Sequence, residues 1–177
     1  MSEPIIILGA SARAAAQSAA RGGFAPWAAD LFADADLARL CPVHRIDRYP
    51  CDLFATSRLA PPGAWMYTGG LENYPRLVER IAAERRLYGN AGPPLRAVRD
   101  PAKVAEVAQS VGLSVPKIVN QGGRSPRDGS WLRKALRSSG GLRVESWTAE
   151  NPAPNATRNA VRGRFVRCRS ATRFSQT

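Results

Sequence analysis

Ile5-Ile6-Ile7-Leu8 is an unbroken aliphatic run that ends at Gly9-Ala10-Ser11. A strand with no polar alternation has both faces buried, the condition of a strand inside a parallel sheet covered on each side. The next segments fit that requirement. Ala12–Arg21 is an alanine-rich helix stopped by Gly22-Gly23. Phe24–Ala29 reads as a second strand ending near Asp30, and Asp34–Leu40 as a short helix or turn. Val43–Ile46 is a third strand, Asp52–Arg58 a helix closed by Pro61-Pro62-Gly63, and Ala64–Thr68 a fourth strand closed by Gly69-Gly70. Strands alternating with helices over the first ~90 residues predict an open parallel α/β sheet.

The pattern then changes. Leu77, Val78, Ile81 and Leu87 give Tyr74–Tyr88 a helical period. Asn90-Ala91-Gly92-Pro93-Pro94 reads as a linker. Asp100 caps a helix that has Pro101 at its first position and runs to Gly112. Val115–Val119 is a possible strand and Gln121–Gly129 a polar loop containing Gly122-Gly123. Trp131–Leu136 and Leu142–Trp147 read as two strands joined by the glycine-rich turn Arg137–Gly141. A second, smaller α+β element therefore starts near residue 95, after a Rossmann-like first domain.

Three places could carry chemistry. Gly9-Ala10-Ser11-Ala12-Arg13 joins the first strand to its helix, where doubly wound sheets bind ligands and helix N-termini favour anions. It is not GxGxxG but a poor match to that fingerprint, and Asp30 comes only about twenty residues after it. A tight packed turn is the plainer alternative, with Gly9, Ser11 and Arg13 still able to face a carboxylate or phosphate. After the fourth strand, Gly69 and Gly70 permit close backbone approach, and Glu72 and Asn73 either cap the following helix or contact substrate. The third place is Trp131–Gly141. Lys134 can hold a phosphate as a point charge, and Gly140 and Gly141 let backbone N–H groups approach the same phosphate closely. An exposed lysine beside an ordinary hairpin turn is the alternative there. His44, the single histidine, has no nucleophile or acid patterned around it and reads as structural.

Charge narrows the partners. Lysine and arginine total 26 against 14 acids. Residues 151–177 hold six arginines and no acid, half of the excess of +12. Such a tail can attract nucleic acid, but it has no RGG repeat and only Phe165 and Phe174 for stacking, so nucleic acid is not the expected partner. Cys41, Cys51 and Cys168 are odd in number and lack metal-ligand spacing, consistent with free thiols in a reducing compartment. No residues are assigned to a metal. Pro4–Leu8 is too short for a signal region, and no apolar run approaches a membrane span of ~18 residues. The expected location is cytoplasmic, and the sequence leaves the oligomeric state open.

Taken in order, Ile5–Phe24, Ala28–Leu37, Thr68–Ala82, Leu87–Asn90, Val98–Pro116 and Trp131–Gly141 resemble the ATP-grasp superfamily, in particular ATP-dependent carboligases of the biotin-carboxylase type. The resemblance implies a pre-ATP-grasp Rossmann-like domain over 1–95 and the opening part of an ATP-grasp domain over 96–147, with 148–177 a basic, irregular tail. It implies that Lys134 and the loop Arg137–Gly141 contact the phosphates of ATP, and it implies a small carboxylate substrate, for which Gly9, Ser11, Arg13, Gly69, Gly70, Glu72 and Asn73 are the candidate contacts read from the loops above. Lys103 lies near a second nucleotide-contacting lysine of the family, but its spacing to Gly112 is off by one or two residues. Family members commonly have proline after the loop lysine; Ala135 stands here. The family's chemistry activates a carboxylate as an acyl phosphate with ATP and magnesium, then joins it to an amine or thiol. Its second half, with the magnesium ligands, finds no match after Trp147, so the resemblance implies a truncated, inactive form of such a ligase. A non-catalytic α/β module for a small ligand, or a protein that binds nucleic acid through its tail, are the other readings.

Overall fold

The structure is a computed structural model that describes residues 2–120, 124–140 and 142–150, and the backbone of 165–169; for Asn120 it describes the backbone alone. The chain divides into two compact units, Met1–Arg96 and Ala97–Thr177.

Unit 1 is built on a four-stranded parallel sheet in the order β3-β2-β1-β4. Its strands are β1 (Pro4–Leu8), β2 (Ala25–Asp30), β3 (Val43–Arg45) and β4 (Ala64–Tyr67). The aliphatic run is fully enclosed: Ile6, Ile7 and Leu8 have no exposed surface. Alternation along β1 sends them to opposite faces. Ile6 and Leu8 join Trp65, Leu53, Val78 and Ile81 under α3 (Leu53–Ser57) and α4 (Pro75–Ala82). Ile7 joins Ala12, Ala16 and Leu37 under α1 (Arg13–Arg21) and α2 (Ala35–Leu40). Each enclosed isoleucine or leucine contributes about 1.5–3 kcal/mol of transfer free energy, so the run acts as the hub of both cores. At the end of α1, Gly23 takes the left-handed conformation at φ 84°, and the amide of Phe24 bonds the carbonyl of Ala19 at 3.0 Å.

Two segments depart from the expected elements. The helix expected over Tyr74–Tyr88 ends at Ala82. Beyond it the chain returns to the edge of β4, where the Trp65 amide bonds the Arg86 carbonyl at 2.9 Å and the Tyr88 amide bonds the Trp65 carbonyl at 2.7 Å. Pairing with an open strand edge outweighs continuation of the helix. Residues 90–94 are not a plain linker, because Gly92–Val98 forms α5. Proline is tolerated in a first helical turn, where its missing N–H has no partner to lose. Buried Leu95 fastens α5 to the core.

Unit 2 contains α6 (Pro101–Ser110) and a four-stranded sheet in the order β5-β8-β6-β7. Asp100 caps α6 by accepting from the amides of Ala102 at 2.9 Å and Lys103 at 3.5 Å. The strands are β5 (Ile118–Asn120), β6 (Asp128–Ala135), β7 (Val144–Thr148) and β8 (Phe165–Arg169), and their pairings are antiparallel. The strands β6 and β7 form the expected hairpin, with a register shift between Asp128 and Leu132. Within the stretch read as an irregular tail, residues 165–169 form a strand that inserts between β5 and β6. The remainder of 151–177, with Arg158, Arg162, Arg164 and Arg173, lies outside the described residues, as do Gly122, Gly123 and Gly141.

Candidate functional site

In unit 1 the chain runs from β1 to β2 and β3 on one side, then crosses to β4 on the other. The C-terminal ends of β1 and β4 therefore flank a topological switch point, the usual ligand crevice of an open parallel sheet. The loop after β1 carries Gly9, Ser11 and Arg13; the loop after β4 carries Gly69, Gly70, Glu72 and Asn73.

Thr68 joins the two loops. Its hydroxyl donates to the Ser11 carbonyl at 2.8 Å, and its amide bonds the Leu8 carbonyl at 3.0 Å. A Cβ on Gly9 would lie 1.9 Å from Thr68 Oγ1, so glycine is what lets the loops meet. Asp30 holds the first loop from beneath. It is fully buried, and its carboxylate accepts from the amides of Ala12 at 2.5 Å, Phe32 at 2.6 Å and Ala33 at 2.9 Å. An acid committed to three main-chain donors orders the turn from within. The plainer alternative, a packed turn, describes the root of this loop.

The other candidates divide. Ser11 is exposed beside Thr68. The Arg13 guanidinium lies 3.8 Å from Asp34 and 3.7 Å from Asp36, so its charge is shared with the start of α2. Gly70 takes a left-handed conformation at φ 92° and opens a single 3₁₀ turn, Leu71–Asn73. Asn73 is buried and its side-chain amide donates back to the Gly70 carbonyl at 3.1 Å. It fastens the turn itself, and no side chain caps α4. Glu72 is half-buried. The Tyr49 and Tyr67 phenols are pushed up, in both cases first by burial; Tyr74 and then the Glu72 charge add to this at Tyr49, and the Glu72 charge adds to it at Tyr67. Gly9 and Ser11 thus meet Thr68 between the two loops, and Gly69, Gly70, Glu72 and Asn73 follow Thr68 in the second.

In unit 2, alternation along β6 buries Trp131 and Ala135 and leaves Lys134 exposed on the opposite face. Arg133, on the buried face, pairs with Glu145 and lies over the Trp147 ring, which Arg127 also covers at 4.7 Å. Past Ala135 the turn carries exposed Arg137, half-buried Ser138, and exposed Ser139 and Gly140. Ser138 Oγ donates to the Ala135 carbonyl at 3.2 Å, and Gly140 is left-handed at φ 62° with open space where a Cβ would stand. The Leu142 amide bonds the Ser139 carbonyl at 3.2 Å. Arg99, which sequence reasoning did not single out, donates through Nη2 to the carbonyls of Leu136 at 2.8 Å and Ser138 at 3.4 Å. Lysine and arginine at a turn with a left-handed glycine fit an anion.

Lys103 is exposed on α6, and His44 is exposed on β3. An open cleft of about 440 Å³ runs between α6 and residues 115–118, lined by Ala102, Glu106, Gln109 and Lys117 among others; none of the candidate residues lines it. Among the described residues no three His, Cys, Asp or Glu side chains gather as a metal site, and no helix is long and apolar enough to cross a membrane. Cys41 is buried, which raises its thiol pKa, and Cys51 is exposed.

No family model matches the chain, and no curated protein does. Solved structures do match its fold. An ADP complex of purK, N5-carboxyaminoimidazole ribonucleotide synthetase, aligns with a TM-score of 0.66 at 16% identity, over 96% of this chain and 47% of its own. An ATP complex of carboxyaminoimidazole ribonucleotide synthase from Aspergillus clavatus aligns at 0.64 and 11% identity, over 97% and 48%. Rhizobium etli pyruvate carboxylase, with acetyl coenzyme A, aligns at 0.61 and 15% identity, over 84% and 16%. The chain has the mixed α/β fold seen in these proteins and spans about half the length of the two synthetases.

Proposed function

We propose that this chain is a nucleotide-binding part of an ATP-grasp-type ligase, gripping ATP phosphates with Lys134 and the turn 137–141 and facing a small carboxylate substrate with the loops after β1 and β4. The observation that carries this reading is the hairpin itself, an exposed lysine one residue from the end of β6 leading into a glycine turn, in a fold shared with chains solved with ADP and ATP.

ATP supplies the phosphoryl group that makes a carboxylate reactive toward a nucleophile. The residues of this chain bind and orient. Lys134 and Arg137 neutralise phosphate charge, and Gly140 lets the main chain come close without a Cβ in the way. Ser11 and the amides around Gly69 and Gly70 offer donors to a carboxylate. The described residues supply no acid cluster for magnesium, so no step is assigned to a protein-held metal. Ligation, its carboxylate and its nucleophile belong to the reading of the whole protein; for residues 1–177 the proposal is binding with negligible turnover.

Calorimetric titration of residues 1–177 with ATP tests this. Binding is expected, weakened about tenfold or more in Lys134→Ala because one charge-assisted contact is removed. ATP binding that survives Lys134→Ala unchanged would place the nucleotide elsewhere. Rapid ATP consumption lost in the same variant would overturn the negligible turnover.

A further inference from the structure

The first half of the 137–141 turn is held by a side chain distant in sequence. Arg99 stands immediately before the Asp100 cap of α6, and a single guanidinium nitrogen donates to two carbonyls of the turn, Leu136 at 2.8 Å and Ser138 at 3.4 Å. Across a planar trans peptide the C=O of one residue and the N–H of the next point in opposite directions. If the carbonyls of Leu136 and Ser138 converge on Arg99, the N–H groups of Arg137 and Ser139 are directed away from it.

We propose that Arg99 is a positioning residue that turns the amides of Arg137 and Ser139 outward together, as a pair of donors for one phosphate of the nucleotide; the inference rests on the reading of this turn as the ATP site. Two features fit. The bonds from Arg99 to Leu136 and Ser138 end on main-chain oxygens, so they set peptide orientation whatever the side chains of the turn are. Ser138 Oγ, bonded to the Ala135 carbonyl, fastens the same stretch from its other end.

Amide hydrogen exchange on the ligand-free full chain, combined with ATP titration, tests the proposal. In Arg99→Ala the amide of Leu142, whose bond to Ser139 closes the turn, should exchange about tenfold faster, while β6, β7 and unit 1 keep their protection. ATP affinity should fall by a similar factor. Arg99→Lys, which keeps a donor, should stay closer to wild type in both, and Lys134→Ala should lose affinity without loosening the turn. Wild-type ATP binding that Arg99→Ala leaves unchanged overturns the positioning role. Faster exchange spread through unit 2 also overturns it, since Arg99 would then be a general stabiliser. Absence of ATP binding by the wild-type chain, even with a turn loosened by Arg99→Ala, overturns the ATP reading and with it the donor role of these amides.

Discussion

Asp30 accepts three main-chain donors from a fully buried position, and Ala12 among them begins the helix that follows the first loop. Replacement by alanine strands those donors, so Asp30→Ala should cost about 3 kcal/mol or more. Asp30→Asn, which keeps one acceptor oxygen, should cost less. Urea unfolding followed by circular dichroism measures both, and near-wild-type midpoints would mean that the carboxylate is dispensable. Gly9→Ala places a methyl group 1.9 Å from Thr68 Oγ1 and 3.1 Å from the Thr68 carbonyl. It should destabilise strongly, and adding Thr68→Ala should recover part of the loss but not all, because the carbonyl contact remains. A double-mutant cycle on unfolding free energies checks this, and strict additivity would show that the two loops do not meet. These roles differ in how far the sequence discloses them. Gly9 and Gly70 announce a turn by type, whereas nothing about Asp30 discloses its three main-chain donors until they are seen. Asn73 looks like a cap or a substrate contact and instead bonds backward to Gly70.

Most strands and helices were readable because their signals are local. The aliphatic run, the Gly22-Gly23 stop, the Asp100-Pro101 start and the alternation in β6 each depend on a few neighbouring residues. What escaped depends on partners far along the chain. Residues 84–88 carry a helical pattern, yet the open edge of β4 draws Arg86 and Tyr88 into hydrogen bonds with Trp65. Gly92-Pro93-Pro94 looks like a break and forms the first turn of α5, because proline at a helix start sacrifices no bond. The Arg99 bonds to Leu136 and Ser138 end on carbonyl oxygens, which every residue possesses, so no complementary residue type marks them in advance.

The first unit owns both apolar clusters and all four strands of its sheet. A fragment ending with α5, residues 1–98, should therefore fold alone, with a cooperative thermal transition and a near-ultraviolet signal from enclosed Trp65. Aggregation or a non-cooperative melt would show that it needs the rest of the chain. The second unit is arranged differently. Its β8 lies between β5 and β6, although β6 and β7 both precede it in the chain. During synthesis, then, β5, β6 and β7 leave the ribosome with a gap among them that only later residues fill. The β6–β7 hairpin must wait, one flank bare, while the first unit has long been finished; a stalled or clipped translation product would carry a sound first unit and a seam ready to take up a stranger's strand.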